Sequence, residues 1–116
     1  DRLTQLAAVL AVGGRALWPV SVQTLWRSLP AAVQAQVGIE ADVMAAPADA
    51  ALLHADVPTC LHTAQALARR SGPLISLTAL RPGDEAIALA RLVCERSIST
   101  NTAAAGGNAS LMTLSL

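Results

Sequence analysis

The chain has almost no aromatic material from which to build a core. Among 116 residues there are two Trp, no Phe and no Tyr, although 53% of the residues are hydrophobic. Ala, Leu and Val must therefore fill the interior. Small side chains allow elements to pack closely in thin layers, but each buries little apolar area. One small domain with a single core is the size expected for this length. A core of this kind predicts a domain that leans on a partner surface.

The charge balance excludes several classes of partner. Eight basic residues, all Arg, match eight acidic ones, for a net charge of zero. That leaves no electrostatic footprint for nucleic acid or an acidic membrane. No apolar run reaches the roughly 18 residues of a membrane span. Two cysteines, Cys60 and Cys94, make no disulfide framework and no C-x-x-C pair, so a reducing, cytoplasmic setting is expected. The first residues do not read as a signal peptide, so none is expected here. The chain starts at Asp1 rather than Met, which points to a piece of something longer.

Helices and strands alternate along the sequence. Leu3, Leu6, Ala7 and Leu10 mark a first helix that Gly13-Gly14 stops. Arg15 to Pro19 reads as a buried strand. Ser21 caps a helix carrying Val22, Leu25, Trp26 and Leu29, and Pro30 opens a further helical stretch over Ala31 to Val37, ending at Gly38. Asp42 to Ala45 and Ala50 to His54 are strand candidates. Asp56 caps a helix with Pro58 in its first turn, an apolar face of Leu61, Ala64, Leu67 and Ala68, Arg69 and Arg70 at its negative end, and Gly72-Pro73 as its stop. Leu74 to Leu80 is a strand, Arg81 to Asp84 a turn, and Ile87 to Val93 a helix burying Leu89, Leu92 and Val93. Arg96 to Asn101 has the β propensity of an exposed or pairing strand, and Leu111 to Leu114 is a last short strand candidate. The alternation predicts an α/β fold: a small, mostly parallel sheet of about four strands flanked by helices.

No candidate constellation carries chemistry on its own. Gly13-Gly14 ends a helix, whereas a dinucleotide fingerprint opens one, so a C-cap is expected. His54, Cys60, His62 and Cys94 match no zinc spacing. Cys60 and His62, two apart on a helix, face different sides, so a buried thiol at Cys60 or Cys94 and ordinary histidines are the reading. Cys94 has no oxyanion-loop signature beside it to make it a nucleophile. Asp84-Glu85 reads as the solvated first turn of a helix. Gly106-Gly107-Asn108 is either a tight turn or a backbone nest for an anion or a partner. No residue is assigned a catalytic, cofactor-binding or metal-binding role.

The tail is the most unusual stretch. Thr100 to Met112, TNTAAAGGNASLM, is too small, polar and glycine-rich for a core element, and fits a segment that docks flat against another surface. Glu95 to Thr113, ERSISTNTAAAGGNASLMT, closely resembles the extreme C-terminus of the proline utilization A family of bifunctional proline catabolic enzymes. LTQLAAVLAVGGRALWP (Leu3 to Pro19) and GPLISLTALRPGDEAIALARLVCERS (Gly72 to Ser97) resemble the same family's C-terminal region; the likeness is weaker between Val20 and Arg70. Two departures stand out: Thr100 occupies a position where the family usually has Val, and Leu114-Ser-Leu116 replaces a terminal Ile-Gly.

The resemblance implies a parent that oxidises proline with FAD and then glutamate semialdehyde with NAD. Residues 1–94 would form a Rossmann-like, aldehyde-dehydrogenase-like body without catalytic apparatus. Residues 95–116 would form a β-flap strand and terminal motif. Asn101, Thr102, Gly106, Gly107, Asn108, Ser110, Leu111 and Met112 would dock as a lid over the cavity through which the intermediate passes. The implied partner is the aldehyde dehydrogenase domain of the same polypeptide, with a homo-oligomer also possible. Two readings compete: a nucleotide-binding α/β module, and a fragment of a catalytic aldehyde dehydrogenase.

Overall fold

The computed structural model describes residues 1–94. Helix α1 spans Arg2–Ala11, followed by strand β1 over Ala16–Pro19, a 3₁₀ turn over Val20–Val22, α2 over Gln23–Arg27, α3 over Ala31–Gln34 and β2 over Val37–Glu40. Then come β3 over Ala50–His54, α4 over Val57–Ala68, β4 over Ser76–Leu80 and a final 3₁₀ turn over Leu89–Leu92. β1 and β2 pair in parallel, with Ala16 opposite Val37 and Leu17 opposite Gly38. β3 and β4 also pair in parallel, from Ala50 opposite Ser76 to His54 opposite Leu80. The described residues are thus two successive strand–helix–strand units behind one leading helix. The class is α/β and the pairing is parallel, as the alternation predicts. The single sheet of four is not found: the strands form two separate pairs.

The core lies in the first unit. Leu6 of α1, Ala16 and Trp18 of β1 and Val37 of β2 are buried together. Half-buried Leu25, Trp26, Leu29 and Val33 pack around them from the helices that join the strands. Ala16 and Trp18 point inward while Leu17 between them points out, the alternation that a pleated strand imposes. Leu17 lies across Gly38, where an added Cβ would meet its Cδ2 at 2.9 Å.

Local chemistry explains how α1 ends. The Gly13 amide bonds to the Leu10 carbonyl and the Gly14 amide to the Val9 carbonyl. Gly13 has φ +74°. This is a Schellman cap with glycine at the left-handed position. Its start is less usual: the Asp1 carboxylate makes no cap bond to its own helix. Its Oδ1 accepts instead from the Gly83 amide at 2.8 Å, tying α1 to the turn after β4.

Five expectations need correcting. Ser21 does not cap a helix: it lies within the 3₁₀ turn, and α2 begins after Val22 with no side-chain cap. The helical stretch placed over Ala31 to Val37 stops at Gln34, and Val37-Gly38-Ile39-Glu40 is a strand, because Val37 is drawn into the core beside Ala16 and Trp18. Asp42 to Ala45 is a turn rather than a strand. Asp42 Oδ1 accepts from the amides of Met44 and Ala45, which bends the chain at that point. On α1 the buried side is Gln5, Leu6 and Ala8, and Leu3 and Ala7 are exposed. The helix expected over Ile87 to Val93 is only the 3₁₀ turn, with Leu92 half-buried and Leu89 and Val93 exposed. It has no side-chain cap, and one uncapped turn is too short to propagate a helix. The strand candidates Arg96 to Asn101 and Leu111 to Leu114 lie outside the described residues.

Candidate functional site

The docking motif named from the sequence, Asn101, Thr102, Gly106, Gly107, Asn108, Ser110, Leu111 and Met112, also lies outside the described residues. The other candidates all fall within them, and the fold already occupies most of their polar atoms. Both amides of Gly13-Gly14 bond to carbonyls of α1, so neither is free to hold a phosphate. Asp84 closes its turn on both sides: its amide donates to the Arg81 carbonyl, and its Oδ2 accepts from the Arg81 amide at 3.1 Å. No helix starts there, so Asp84-Glu85 is a turn lock and not a helical first turn.

His54, at the end of β3, stitches three elements together. Its Nδ1 accepts from Nε2 of Gln5 on α1 at 2.7 Å, and its Nε2 donates to the Asp84 carbonyl at 2.8 Å. Gln5 is buried, which explains a polar residue on the inner side of α1. With the Asp1–Gly83 bond, this holds the leading helix against the second unit. The sequence contained both residues but no sign that they meet, since they stand 49 positions apart.

The cysteines do not join this set. The half-buried Cys60 thiol donates to the Ala55 carbonyl at 3.7 Å, while Cys94 is exposed rather than buried. His62 is exposed on α4. Among the described residues no three His, Cys, Asp or Glu side chains are grouped to hold a metal. No helix among them is long and apolar enough to cross a membrane.

The N-terminus of α4 follows a parallel strand, where many α/β folds hold phosphates. Here it carries its own anion. Asp56 caps the helix, and its Oδ1 accepts from the Thr59 amide at 3.0 Å. Hydrogen bonds from the Thr59 side chain and amide hold the Asp56 carboxyl below its ordinary value of 3.8. A pKa lower in the folded chain than in the unfolded one stabilises the fold above the unfolded value, and that stabilisation disappears as pH falls through the folded one. Acidification below about 3.8 is therefore expected to loosen α4. Asp56→Asn keeps a capping oxygen without the titrating charge. It should remove this part of the pH dependence, read as amide exchange in α4 against pH; an unchanged profile would show that the cap is not its source.

Two shallow clefts flank α4. One, of about 450 Å³, lies between the Asp42–Ala45 turn and Ala66, Arg70 and Ser71. Nη2 of Arg70 donates to the carbonyls of Ala45 and Ala46 at 3.3 and 2.8 Å, so this arginine works as a strut. The other, of about 430 Å³, is lined by Leu67, Ala68, Leu74 and Ile75 among others and is largely apolar. It continues onto an open helix face. Of the apolar face expected on α4, only Leu67 is buried; Leu61, Ala64 and Ala68 face solvent. The periodicity of that face is right, but nothing among the described residues covers it.

These features define an α/β segment of two strand–helix–strand units whose candidate polar side chains serve mainly caps, turns and ties, with an apolar helix face left open among the described residues. The bifunctional protein PutA of Salmonella typhimurium is 48% identical to the chain over 118 residues, covering 98% of the chain and 9% of the relative. The bifunctional protein PutA of Escherichia coli is 45% identical over 118 residues with the same two coverages, and that of Rhizobium meliloti is 37% identical over 95% of the chain. Over nearly its whole length the chain is homologous to a segment of the bifunctional PutA proteins. It spans about 9% of the length of these curated relatives. The family resemblance read from the sequence thus extends through Val20 to Arg70, where it was weakest. No family model matches the chain, and no solved structure matches it.

Proposed function

We propose that the chain is part of a non-catalytic C-terminal region of a bifunctional enzyme that converts proline to glutamate in the cytoplasm. On this reading residues 1–94 are a Rossmann-like body related to aldehyde dehydrogenases. Residues 95–116 are a β-flap strand and terminal docking motif. FAD and NAD are bound elsewhere in the parent. The body packs on the semialdehyde dehydrogenase domain, and the tail covers the cavity through which the intermediate travels. The observation that carries the reading is the match of 98% of this chain to a 9% portion of proteins named bifunctional. The occupied polar groups of the candidate residues support a structural role over a catalytic one.

The physical reason for such a cover is the intermediate itself. A reactive aldehyde in equilibrium with its cyclised imine escapes or reacts if water reaches it between active sites. A tethered segment can seal the path through weak contacts, because the tether keeps it at a high effective concentration. Deleting Gly106 to Leu116 from the full-length protein should leave the two half-reactions largely active while introducing a lag in NADH formation from proline. Coupled kinetics without a lag would remove the cover role.

A further inference from the structure

The outer face of α4 is built to be covered. The helix has 12 residues, Val57–Ala68, and none of them is Asp, Glu, Lys or Arg. A solvent-facing helix normally carries charge on its outer side, whereas the polar residues of α4 are only Thr59, His62, Thr63 and Gln65. Here Val57 is 71% exposed and Leu61 59% exposed, with Ala64 and Ala68 exposed beyond them. The spacing 57, 61, 64, 68 is a single stripe along one side of a helix. The stripe runs on to the apolar cleft beside β4, where Leu74 is 87% exposed.

We propose that this stripe is an interface, covered in the whole protein by an apolar helix from another part of the same polypeptide. The proposal rests on the reading of the chain as one segment of a bifunctional enzyme, and deepens it by naming the face. Two observations select this occupant. About nine-tenths of each relative lies outside the matched segment, so a tethered neighbour competes at an effective concentration that a free partner does not reach. The stripe is also uncharged, and ends in two alanines at positions 64 and 68. Small residues at a contact let two helix backbones approach closely, so an apolar helix crossing near Ala64 fits best. A membrane surface fits poorly. Interfacial helices carry basic residues along their polar face, whereas here the arginines only follow the helix, and Arg70 is engaged with the Ala45 and Ala46 carbonyls.

The test is photo-cross-linking in the full-length protein, with p-benzoylphenylalanine in place of Leu61 and, as a control, in place of the exposed Thr24 on α2. The expected result is a product of monomer mass for Leu61, in which the α4 peptide is joined to a peptide outside Asp1–Leu116, and no such product for Thr24. A dimer-mass band would overturn the proposal in favour of a second copy. A link back into this segment, or no link at all, would overturn it in favour of self-coverage or a free face. Tail deletion separates this from the cover reading: a Leu61 cross-link with no lag after deletion leaves the interface standing and removes the cover. A lag without the cross-link removes the interface alone.

Discussion

Trp18→Ala is expected to lower the stability of the chain by about 3–5 kcal/mol, the usual cost of truncating a large buried aromatic side chain. Trp18 is 3% exposed at the centre of the core. It is surrounded by Leu6, Ala16 and Val37, all smaller than itself. None of these can expand into the space an indole leaves, so the cavity will not collapse well, and the upper part of the range applies. The guanidinium of Arg2 also lies 6.0 Å from the centre of the indole ring, a cation–π contact that alanine removes. A small domain is stable by only about 5–15 kcal/mol, so the variant should be largely unfolded under mild denaturant. The fluorescence of Trp26 reports the transition without interference. A midpoint shift equivalent to less than about 1 kcal/mol, far below the large-to-small range, would mean that the core is centred elsewhere.

Strong local signals were legible in the sequence, and the structure keeps them. Asp56 and Pro58 open α4 because capping is local chemistry, while the helix ends at Ala68 with Arg69 as its cap, ahead of the Gly72-Pro73 stop. Gly13-Gly14 marks the end of α1 for the same reason. Misreadings arose where a distant contact decides. Val37 looks like the last residue of a helix, and only the approach of Ala16 and Trp18 turns it and its neighbours into a strand. The expected face of α1 leaves out Gln5, whose burial the bond to His54 explains. Asp42 is different: its side-chain bonds to Met44 and Ala45 are local, and an Asx turn could have been read there. The apolar periodicity of α4 is legible in the sequence, but only Leu67 of that face is buried within the described residues, because periodicity does not say what covers a face. That the tail docks is read from its small, glycine-rich composition, but where it docks rests on resemblance, since glycine- and alanine-rich sequence has no periodicity that assigns it a surface.

Trp26 is expected to matter through its hydrogen bond more than its bulk. The ladder between β1 and β2 includes the bond from the Ala16 amide to the Gln36 carbonyl. Successive carbonyls of a strand point to opposite edges, so the next one, of Val37, faces away from β1. Nε1 of Trp26 donates to that carbonyl at 3.1 Å. The indole therefore covers part of the outer edge of β2, a position at which an unpaired strand invites pairing with another chain. Trp26→Phe keeps most of the half-buried apolar body and removes only the donor. Leaving one partly buried carbonyl unpaired costs about 1–3 kcal/mol. The variant should unfold at correspondingly lower denaturant and show concentration-dependent self-association by sedimentation. Trp26→Leu should behave in the same way, because neither side chain replaces the N–H. A shift under about 0.5 kcal/mol, below the cost of an orphaned carbonyl, together with no added association, would mean that water takes the place of the indole and that the edge of β2 is protected by something other than Trp26.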